Sequence, residues 1–348
     1  MSGEAQLATA IEQMAREEGF ARTGVAPAGA VGRYDLFMRW LGRGCHAGME
    51  YMGRNLPQRQ RPDVLVEGAK SVICLAVGYA PPPRGESAGA CAGEMVARYA
   101  RGRDYHKVLR ERCKRLMDRI QQVEPSFRGR AFVDSAPIME RALAVAGGLG
   151  WIGENGCLIV PGLGSYVVLC EIVSNLQLPP AEALANRCDN CGRCAAACPT
   201  GAILADGLVD CRRCVSYLTI EHRGLIEPEH WRRIGTRVFG CDACQEACPF
   251  NEGVPAGDRE LTGGGLALGG AGIGQILAWK ADDWDAATRG SATRRADCEM
   301  FVRNAVIAAG NSGDGRLVEP LTALRMDGRQ DMDMIDWALD RLKNDDDA

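Results

Sequence analysis

Between residues 188 and 249 the chain reads Cys188-Asp189-Asn190-Cys191-Gly192-Arg193-Cys194, then Ala195-Ala196-Ala197-Cys198-Pro199, then Cys211, Cys214, Cys241, Cys244 and Cys248-Pro249. The first run is C-x2-C-x2-C-x3-C-P, the spacing with which bacterial iron–sulfur proteins bind [4Fe–4S] clusters. Three thiolates two residues apart wrap one cubane, and its fourth ligand arrives from elsewhere. The cysteine before proline turns away and ligates the other cluster. Two clusters need eight cysteines. The spacing assigns Cys188, Cys191, Cys194 and Cys248 to one and Cys198, Cys214, Cys241 and Cys244 to the other, with Cys211 spare. Zinc sites also use C-x2-C pairs, but they need neither the third cysteine of the triplet nor the paired Cys-Pro endings. Disulfides are disfavoured, because the opening residues MSGEAQLATAIEQMAREEGF hold neither a twin arginine nor an apolar signal core.

With 348 residues, of which 46% are hydrophobic, the chain has room for two or three modest domains, each with a core. A net charge of −4 announces no global basic field, so any nucleic-acid surface must be local. No apolar run approaches the roughly 18 residues of a membrane span, and the expected location is cytoplasmic.

Periodicity places a helix over 5–18, where Leu7, Ile11 and Met14 share a face, and a strand over 21–25. A helix is expected over 34–41, loops or short helices over 42–63, and a buried strand at Ser71–Tyr79. A proline- and glycine-marked loop follows over 81–93. Residues 96–120 begin like a strand and continue as a helix. Its apolar face is Val108, Leu109, Cys113, Leu116 and Ile120, and its opposite face is Lys107, Arg110, Arg112, Lys114, Arg115 and Arg119. Such a face is either a solvated charge run or a phosphate-tracking surface. GRAFVD (129–134) reads as a strand ending in an acid, and 138–146 as a helix. Residues 157–160 and 165–173 read as an antiparallel pair around the Pro161–Gly164 turn. A glycine-rich loop over 253–274 precedes helices at 301–309, 317–324 and 332–342, with a frayed acidic tail.

Gly148-Leu149-Gly150-Trp151-Ile152-Gly153 matches G-x-G-x-x-G, but it follows a helix and precedes a strand, the reverse of the dinucleotide fingerprint. It reads as a helix cap and turn. Asp134 is either a helix cap or, beside a buried cofactor, an acid with a raised pKa that donates a proton. Asp104-Tyr105-His106 begins like the corrinoid signature D-x-H-x-x-G but has Leu109 where the glycine belongs, so His106 is not expected to be a lower ligand.

These residues are joined by others in a pattern that resembles the epoxyqueuosine reductase family. The carrying stretches are Gly48-Met49-Glu50-Tyr51-Met52, Arg98 to His106, Val133-Asp134-Ser135-Ala136-Pro137 with Glu140-Arg141, and Gly150-Trp151-Ile152-Gly153. Further on come the cysteine module with Cys214 to Glu221 and Gly240-Cys241-Asp242, then Gly290-Ser291-Ala292, Arg294-Arg295 and Arg303-Asn304. The resemblance implies an α+β chain. A nitroreductase-like cobalamin-binding core would span 1–185 and a ferredoxin-like two-[4Fe–4S] module 186–252. A glycine-rich linker with HEAT-like helical repeats would span 253–348. It implies two [4Fe–4S] clusters and cobalamin as cofactors, with contacts at Tyr99, Tyr105, His106, Ser216 and Thr219. It also implies reduction of epoxyqueuosine to queuosine at the wobble position of tRNA, with Asp134 as general acid, in a monomer served by an unidentified electron donor.

The sequence departs from the family at Glu154, where lysine is usual, at Tyr166 for tryptophan, at Cys170 for glycine and at Ser174-Asn175 for Thr-Asp. All lie in the stretch expected to border the cofactor pocket. A tRNA substrate predicts a local basic surface from Arg101, Arg103, Lys107, Arg110 and Arg112, and from Arg212, Arg213, Arg223, Arg232, Arg233 and Arg237. Two other functions use the same motifs: a corrinoid reductase for a small molecule, and an electron-transfer protein. The latter needs no domain of about 185 residues ahead of its clusters.

Overall fold

The computed structural model describes residues 2–81, 95–262 and 267–345. All of the loop expected over 81–93 except Pro81, together with Gly263-Gly264-Gly265 and the Asp346-Asp347 end of the tail, lies outside the described residues.

Strands β1 (Arg22–Pro27), β2 (Ser71–Gly78) and β3 (Gly129–Phe132) belong to one sheet. β4 (Trp151–Ile152) and β5 (Leu158–Ile159) form a separate pair, and β6 (Val167–Ser174) completes the sheet in the order β1-β2-β6-β3. Every pairing is antiparallel. All eight residues of β2 are buried, as its unbroken apolar run predicts for a strand covered on both faces. Its side chains alternate between two cores. Ile73, Leu75 and Val77 face α1 (Gly3–Glu17) and, beyond the short α2 (Tyr34–Gly42) and α3 (Leu56–Gln60), the long α4 (Tyr105–Val123). Val72, Cys74 and Ala76 face α5 (Glu140–Ala146). Each such large side chain contributes about 1.5–3 kcal/mol by leaving water. Ser2 caps α1 by accepting from the Ala5 amide at 3.2 Å, and Asp104 caps α4 by accepting from the His106 amide at 3.1 Å.

The expected 157–160/165–173 hairpin is not the pairing observed. Its turn keeps only a bridge between Val160 and Gly164, while β5 pairs with β4 and β6 with β2 and β3. A strand buried on both faces needs a partner on each edge, and β6 finds both in the main sheet. The strand-like start at Val96 is one parallel bridge to Phe239, followed by a 3₁₀ turn over Arg98–Ala100. At the rejected dinucleotide motif, Gly148 has φ +73 just past α5, and a Cβ on Gly150 would stand 2.0 Å from the Ile159 carbonyl oxygen. The glycines serve a helix end and the close β4–β5 approach.

The cysteine-rich segment contributes α6 (Arg193–Ala197), α7 (Val215–Ile220), α8 (Pro228–Ile234) and α9 (Ala243–Glu246). After α10 (Arg259–Thr262) come α11 (Ile273–Leu277), α12 (Ala281–Thr288), α13 (Cys298–Gly310), α14 (Val318–Asp327) and α15 (Met332–Asp345). These last helices share one core with Val96, Leu218, Trp231 and Phe239. Phe239 and Phe301 stack at 5.8 Å and 7°. Arg303, only 4% exposed, donates to the carbonyls of Leu218 (2.8 Å), His222 (2.9 Å) and Gly224 (2.6 Å) and so ties α13 to the end of α7. Burial lowers its pKa to about 10, which still leaves it charged at neutral pH. Among the described residues, no helix is long and apolar enough to cross a membrane.

Candidate active site

Asp134 stands just beyond β3, where the chain leaves the sheet for α5. Its φ is +46, a left-handed conformation that costs a non-glycine residue about 1–2 kcal/mol. Two contacts hold it there. Its amide donates to Glu140 Oε1 at 2.7 Å, and its Oδ2 accepts from the Tyr105 hydroxyl at 2.6 Å. The carboxylate is 59% exposed, so it presents to an open space. His106 Nε2 lies 3.6 Å from the same Oδ2, while His106 Nδ1 lies 2.8 Å from Asp104 Oδ1. The Tyr105 and His106 rings stack at 4.0 Å, and Tyr99 meets Tyr105 edge-on at 6.0 Å. Arg295 grips Glu221 through two bonds of 2.6 and 2.9 Å and lies 5.7 Å over the Tyr51 ring. Burial and the nearby carboxylates of Glu221 and Asp134 raise the Tyr51 pKa.

The charges differ from those expected of a neutral acid. Desolvation by the side chains around it raises the Asp134 pKa, but the hydrogen bond from Tyr105 and the nearby charges of His106 and Arg295 bring it below the ordinary aspartate value. Burial opposes a proton on His106, yet its bond to Asp104 and the carboxylates of Asp104 and Asp134 lift it to about 9. Asp134 is therefore the anionic half of an ion pair with a protonated His106. The neutral acids stand one layer behind. Burial, then the charge of Asp134, pushes Glu140 up to about 8. Glu171 is 1% exposed with no hydrogen-bond partner on either oxygen, and burial holds it well above the carboxylate range.

Of the other expected cofactor contacts, Tyr99 sits in the 3₁₀ turn over Arg98–Ala100. Ser216 is half-buried on α7. Thr219 is fully buried. Its hydroxyl donates to the Val215 carbonyl at 2.8 Å and accepts from the Gly240 amide at 2.8 Å. The Thr219 hydroxyl therefore ties α7 to the Gly240 backbone. The departures from the family pattern are also dispersed. Cys170 is buried toward α4, its Sγ 3.3 Å from that of Cys113. Asn175 bonds the Arg128 amide and the Ser126 carbonyl at 2.7 and 2.9 Å. The Tyr166 hydroxyl accepts from Arg98 at 2.9 Å, and Glu154 lies against Gly207. Cys170 and Asn175 serve the scaffold and not a cofactor wall.

The cysteines gather in two groups. Burial and the neighbouring Cys188 and Cys191 raise the pKa of both Cys194 and Cys248. Burial, with Cys241 and Cys198 nearby, pushes Cys214 up to about 11, and Cys241 is likewise raised beside Cys198. Cys244 has Cys214 and Cys241 as neighbours and hydrogen-bonds Cys157. No spacing rule pointed to Cys157, a residue remote in sequence that folding brings to the second group. Cys211 donates its amide to the Cys45 carbonyl at 2.9 Å, and burial lifts its thiol to about 12. Eight thiols, six of them partly buried, Cys248 buried and Cys191 exposed, are a donor set whose chemistry suits two cubanes.

The expected basic surface is partly committed to the fold. Arg112 is buried and bonded to Asp258 (2.8 Å) and Glu260 (2.9 Å). Arg115 and Arg119 pair with Glu17 or Glu18 of α1, and Arg103 with Glu260. Arg212 pairs with Asp210 and Arg223 with Asp297. Arg101 and Arg237 donate to backbone carbonyls. Among the described residues, Lys107 and Arg213 feel the charges of Asp104 and Asp210 without a close ion pair, and Arg110, Arg232 and Arg233 likewise form no ion pair within 4.0 Å. A cavity of ≈ 450 Å³ opens beside Glu221, lined also by Tyr217, His222, Arg223 and His230.

Residues 59–135 match the model of "Epoxyqueuosine reductase QueG, DUF1730", and residues 187–251 match the "4Fe-4S double cluster binding domain". The epoxyqueuosine reductase of Vibrio cholerae is 37% identical over 340 residues, covering 96% of this chain and 92% of that one. The epoxyqueuosine reductase of Bacillus subtilis, solved with its catalytic aspartate loop swung out of the active site, superposes with a TM-score of 0.87 at 26% identity. The match covers 97% of this chain and 90% of that one. An epoxyqueuosine reductase crystallised with an epoxyqueuosine-modified tRNA-Tyr stem loop shares the fold, with a TM-score of 0.82 at 24% identity, over 97% and 99% of the two chains. The expected cofactors, two [4Fe–4S] clusters and cobalamin, accord with this kinship. Identity of this extent over nearly the whole chain, together with both domain matches, shows that the chain belongs to the epoxyqueuosine reductase family.

Proposed function

We propose that this chain reduces epoxyqueuosine to queuosine at the wobble position of tRNA. The observation that carries the reading is the setting of Asp134, held at a strained φ by Glu140 and Tyr105, within a chain whose cysteines gather in two fours. Removal of an epoxide oxygen as water to leave an alkene takes two electrons and two protons. Cys188, Cys191, Cys194 and Cys248 would hold one cluster and Cys198, Cys214, Cys241 and Cys244 the other. Cobalamin, when bound, supplies a strongly reducing carrier that collects electrons the clusters deliver singly. The surroundings of Asp134 suit such a group. Tyr51, Tyr99 and Tyr105 offer aromatic faces, the Arg295–Glu221 pair offers a polar rim for amide arms, and Ser216 stands nearby on α7. Asp134 would give the proton that the departing oxygen needs.

The reading extends to architecture and partners. The sheet with helices on both faces supports a nitroreductase-like core over 1–185, ahead of a ferredoxin-like module over 186–252. Mutual packing of α11, α13, α14 and α15 supports HEAT-like repeats over 253–348. The tRNA would present its base unstacked from the anticodon loop, with Lys107 and Arg110 on backbone phosphates. The enzyme would act as a cytoplasmic monomer, where tRNA is, and would draw on a low-potential one-electron donor.

The test is anaerobic. Protein loaded with clusters and cobalamin receives a strong reductant and epoxyqueuosine-tRNA, and the nucleosides are resolved by mass spectrometry. Queuosine is the expected product. No conversion by protein shown to hold all three cofactors would overturn the substrate and favour a small-molecule corrinoid reductase.

A further inference from the structure

Two protons are consumed per epoxide reduced, and a single aspartate carries one. The Tyr105 hydroxyl at 2.6 Å and the His106 imidazole at 3.6 Å favour the anionic form of Asp134, so its proton has to be brought to it. Burial and the charge of Asp134 favour the neutral form of Glu140, but its carboxyl takes the backbone amide of Asp134 and does not meet the Asp134 carboxylate. His106 faces the carboxylate itself.

We propose that His106, oriented by Asp104, is the proton store that charges Asp134, so that the line Asp104–His106–Asp134 supplies both protons of a turnover. This rests on the epoxide-reducing function above. The geometry has three parts. Asp104 is fixed by capping α4, and its Oδ1 takes the Nδ1 side of the imidazole at 2.8 Å, which leaves Nε2–H directed at Asp134 Oδ2, 3.6 Å away. The Tyr105 ring, stacked at 4.0 Å, sets the plane of the imidazole, and the Tyr105 hydroxyl holds the receiving oxygen at 2.6 Å. The His106 side chain is 26% exposed, so solvent can refill it between turnovers. Asp104 on α4 and Asp134 from the β3–α5 loop favour the imidazolium, while Lys107 beside Asp104 and Arg295 near Asp134 carry the opposite charge. Glu140 on α5 also lies within electrostatic reach of His106.

The step balances. His106 Nε2–H passes its proton to Asp134, leaving neutral imidazole and a neutral carboxyl. Asp134 protonates the epoxide oxygen as the first C–O bond breaks. Solvent reprotonates His106, the transfer repeats, and the oxygen leaves as water as the second C–O bond breaks and the alkene forms. The two electrons come from the low-potential donor. His106 and Asp104 act through Asp134 and are positioning residues.

The experiment compares wild type, His106→Gln and Asp104→Asn, each loaded with clusters and cobalamin, on epoxyqueuosine-tRNA across pH 6 to 10. Wild-type kcat should fall as pH rises through about 9. His106→Gln should lose about 100-fold in kcat with KM for tRNA unchanged, recover with added imidazole, and lose that alkaline limb. Asp104→Asn, which keeps a capping oxygen, should shift the limb to lower pH. Full activity of His106→Gln, or a loss that imidazole does not restore, would overturn the proposal. A second readout needs no turnover. The chain has 4 histidines, so ¹⁵N-histidine NMR resolves them. One should stay doubly protonated at pH 8 in wild type and titrate lower in Asp134→Asn. All four deprotonated by pH 8 would overturn the proposal. If wild type holds its imidazolium yet converts no epoxyqueuosine, the failure lies with the substrate and not with the dyad.

Discussion

Glu171 should be a liability to stability, and its removal by an isosteric amide tests this. It lies in the middle of β6, in register with Cys74 on one side and Phe132 on the other, 1% exposed and with both oxygens unpartnered. The folded protein therefore keeps it protonated, while in the unfolded chain it ionises near pH 4.3. The sign follows from proton counts. Above the unfolded value the native state holds one proton more than the unfolded state, so this group's contribution falls by about 1.4 kcal/mol per pH unit as pH rises. At pH 7 the accumulated cost is roughly 3–4 kcal/mol, independent of the native pKa so long as that lies well above 7. Glu171→Gln keeps the size and the buried polar character but has no proton to hold. Urea unfolding of cluster-loaded wild type and variant at pH 5, 6, 7 and 8 should give a difference near zero toward pH 4. That difference should grow with pH in favour of the variant and reach several kcal/mol at pH 7. A pH-independent difference, or a variant less stable at pH 7, would refute the protonated, unpartnered glutamic acid.

Arg303→Met should cost about 3–5 kcal/mol by stranding the Leu218, His222 and Gly224 carbonyls, read as a lowered Tm together with loss of iron from the second group of cysteines. Cys214→Ser should leave protein with one cluster, whereas Cys211→Ser should keep both, by iron analysis and EPR. Cys157→Ala should keep both clusters but shift the second to more negative potential, since it removes a thiol that hydrogen-bonds ligand Cys244, and redox titration followed by EPR would measure this. Lys107→Ala with Arg110→Ala should weaken tRNA binding and flatten its log–log salt dependence by about one to two units in filter-binding assays.

Much of this was legible in the residues. The unbroken apolar run at 71–79 identified a strand covered on both faces, the 3.6-residue spacing placed α1, α4 and α13 to α15, and cysteine spacing marked out the double-cluster domain. What escaped were properties set by partners distant in sequence. The 161–164 turn suggested a hairpin, because local pattern carries no record of which strands will compete for β6. The basic face of α4 looked free, because Glu17, Glu18, Asp258 and Glu260 arrive only on folding. Asp134 was expected to be neutral because its place at a strand end was visible, but not the imidazolium beside it. Cys157 and the buried Arg303 carried no spacing signal at all.

The core shared by α7, Phe239 and the last helices has a consequence for biogenesis. Cys214 and Cys241 flank the segments that supply Leu218, Trp231 and Phe239, and the partners of those side chains, Phe301, Val306, Ile335 and Leu342, are synthesised later, some 60 residues or more after Cys241. A nascent chain exposes its second four thiols before the walls around them exist. With Cys214 and Cys241 as ligands of the second cluster, as proposed, that site would be walled only once the carboxy-terminal helices have closed, and a chain truncated before α13 should bind the first cluster and not the second.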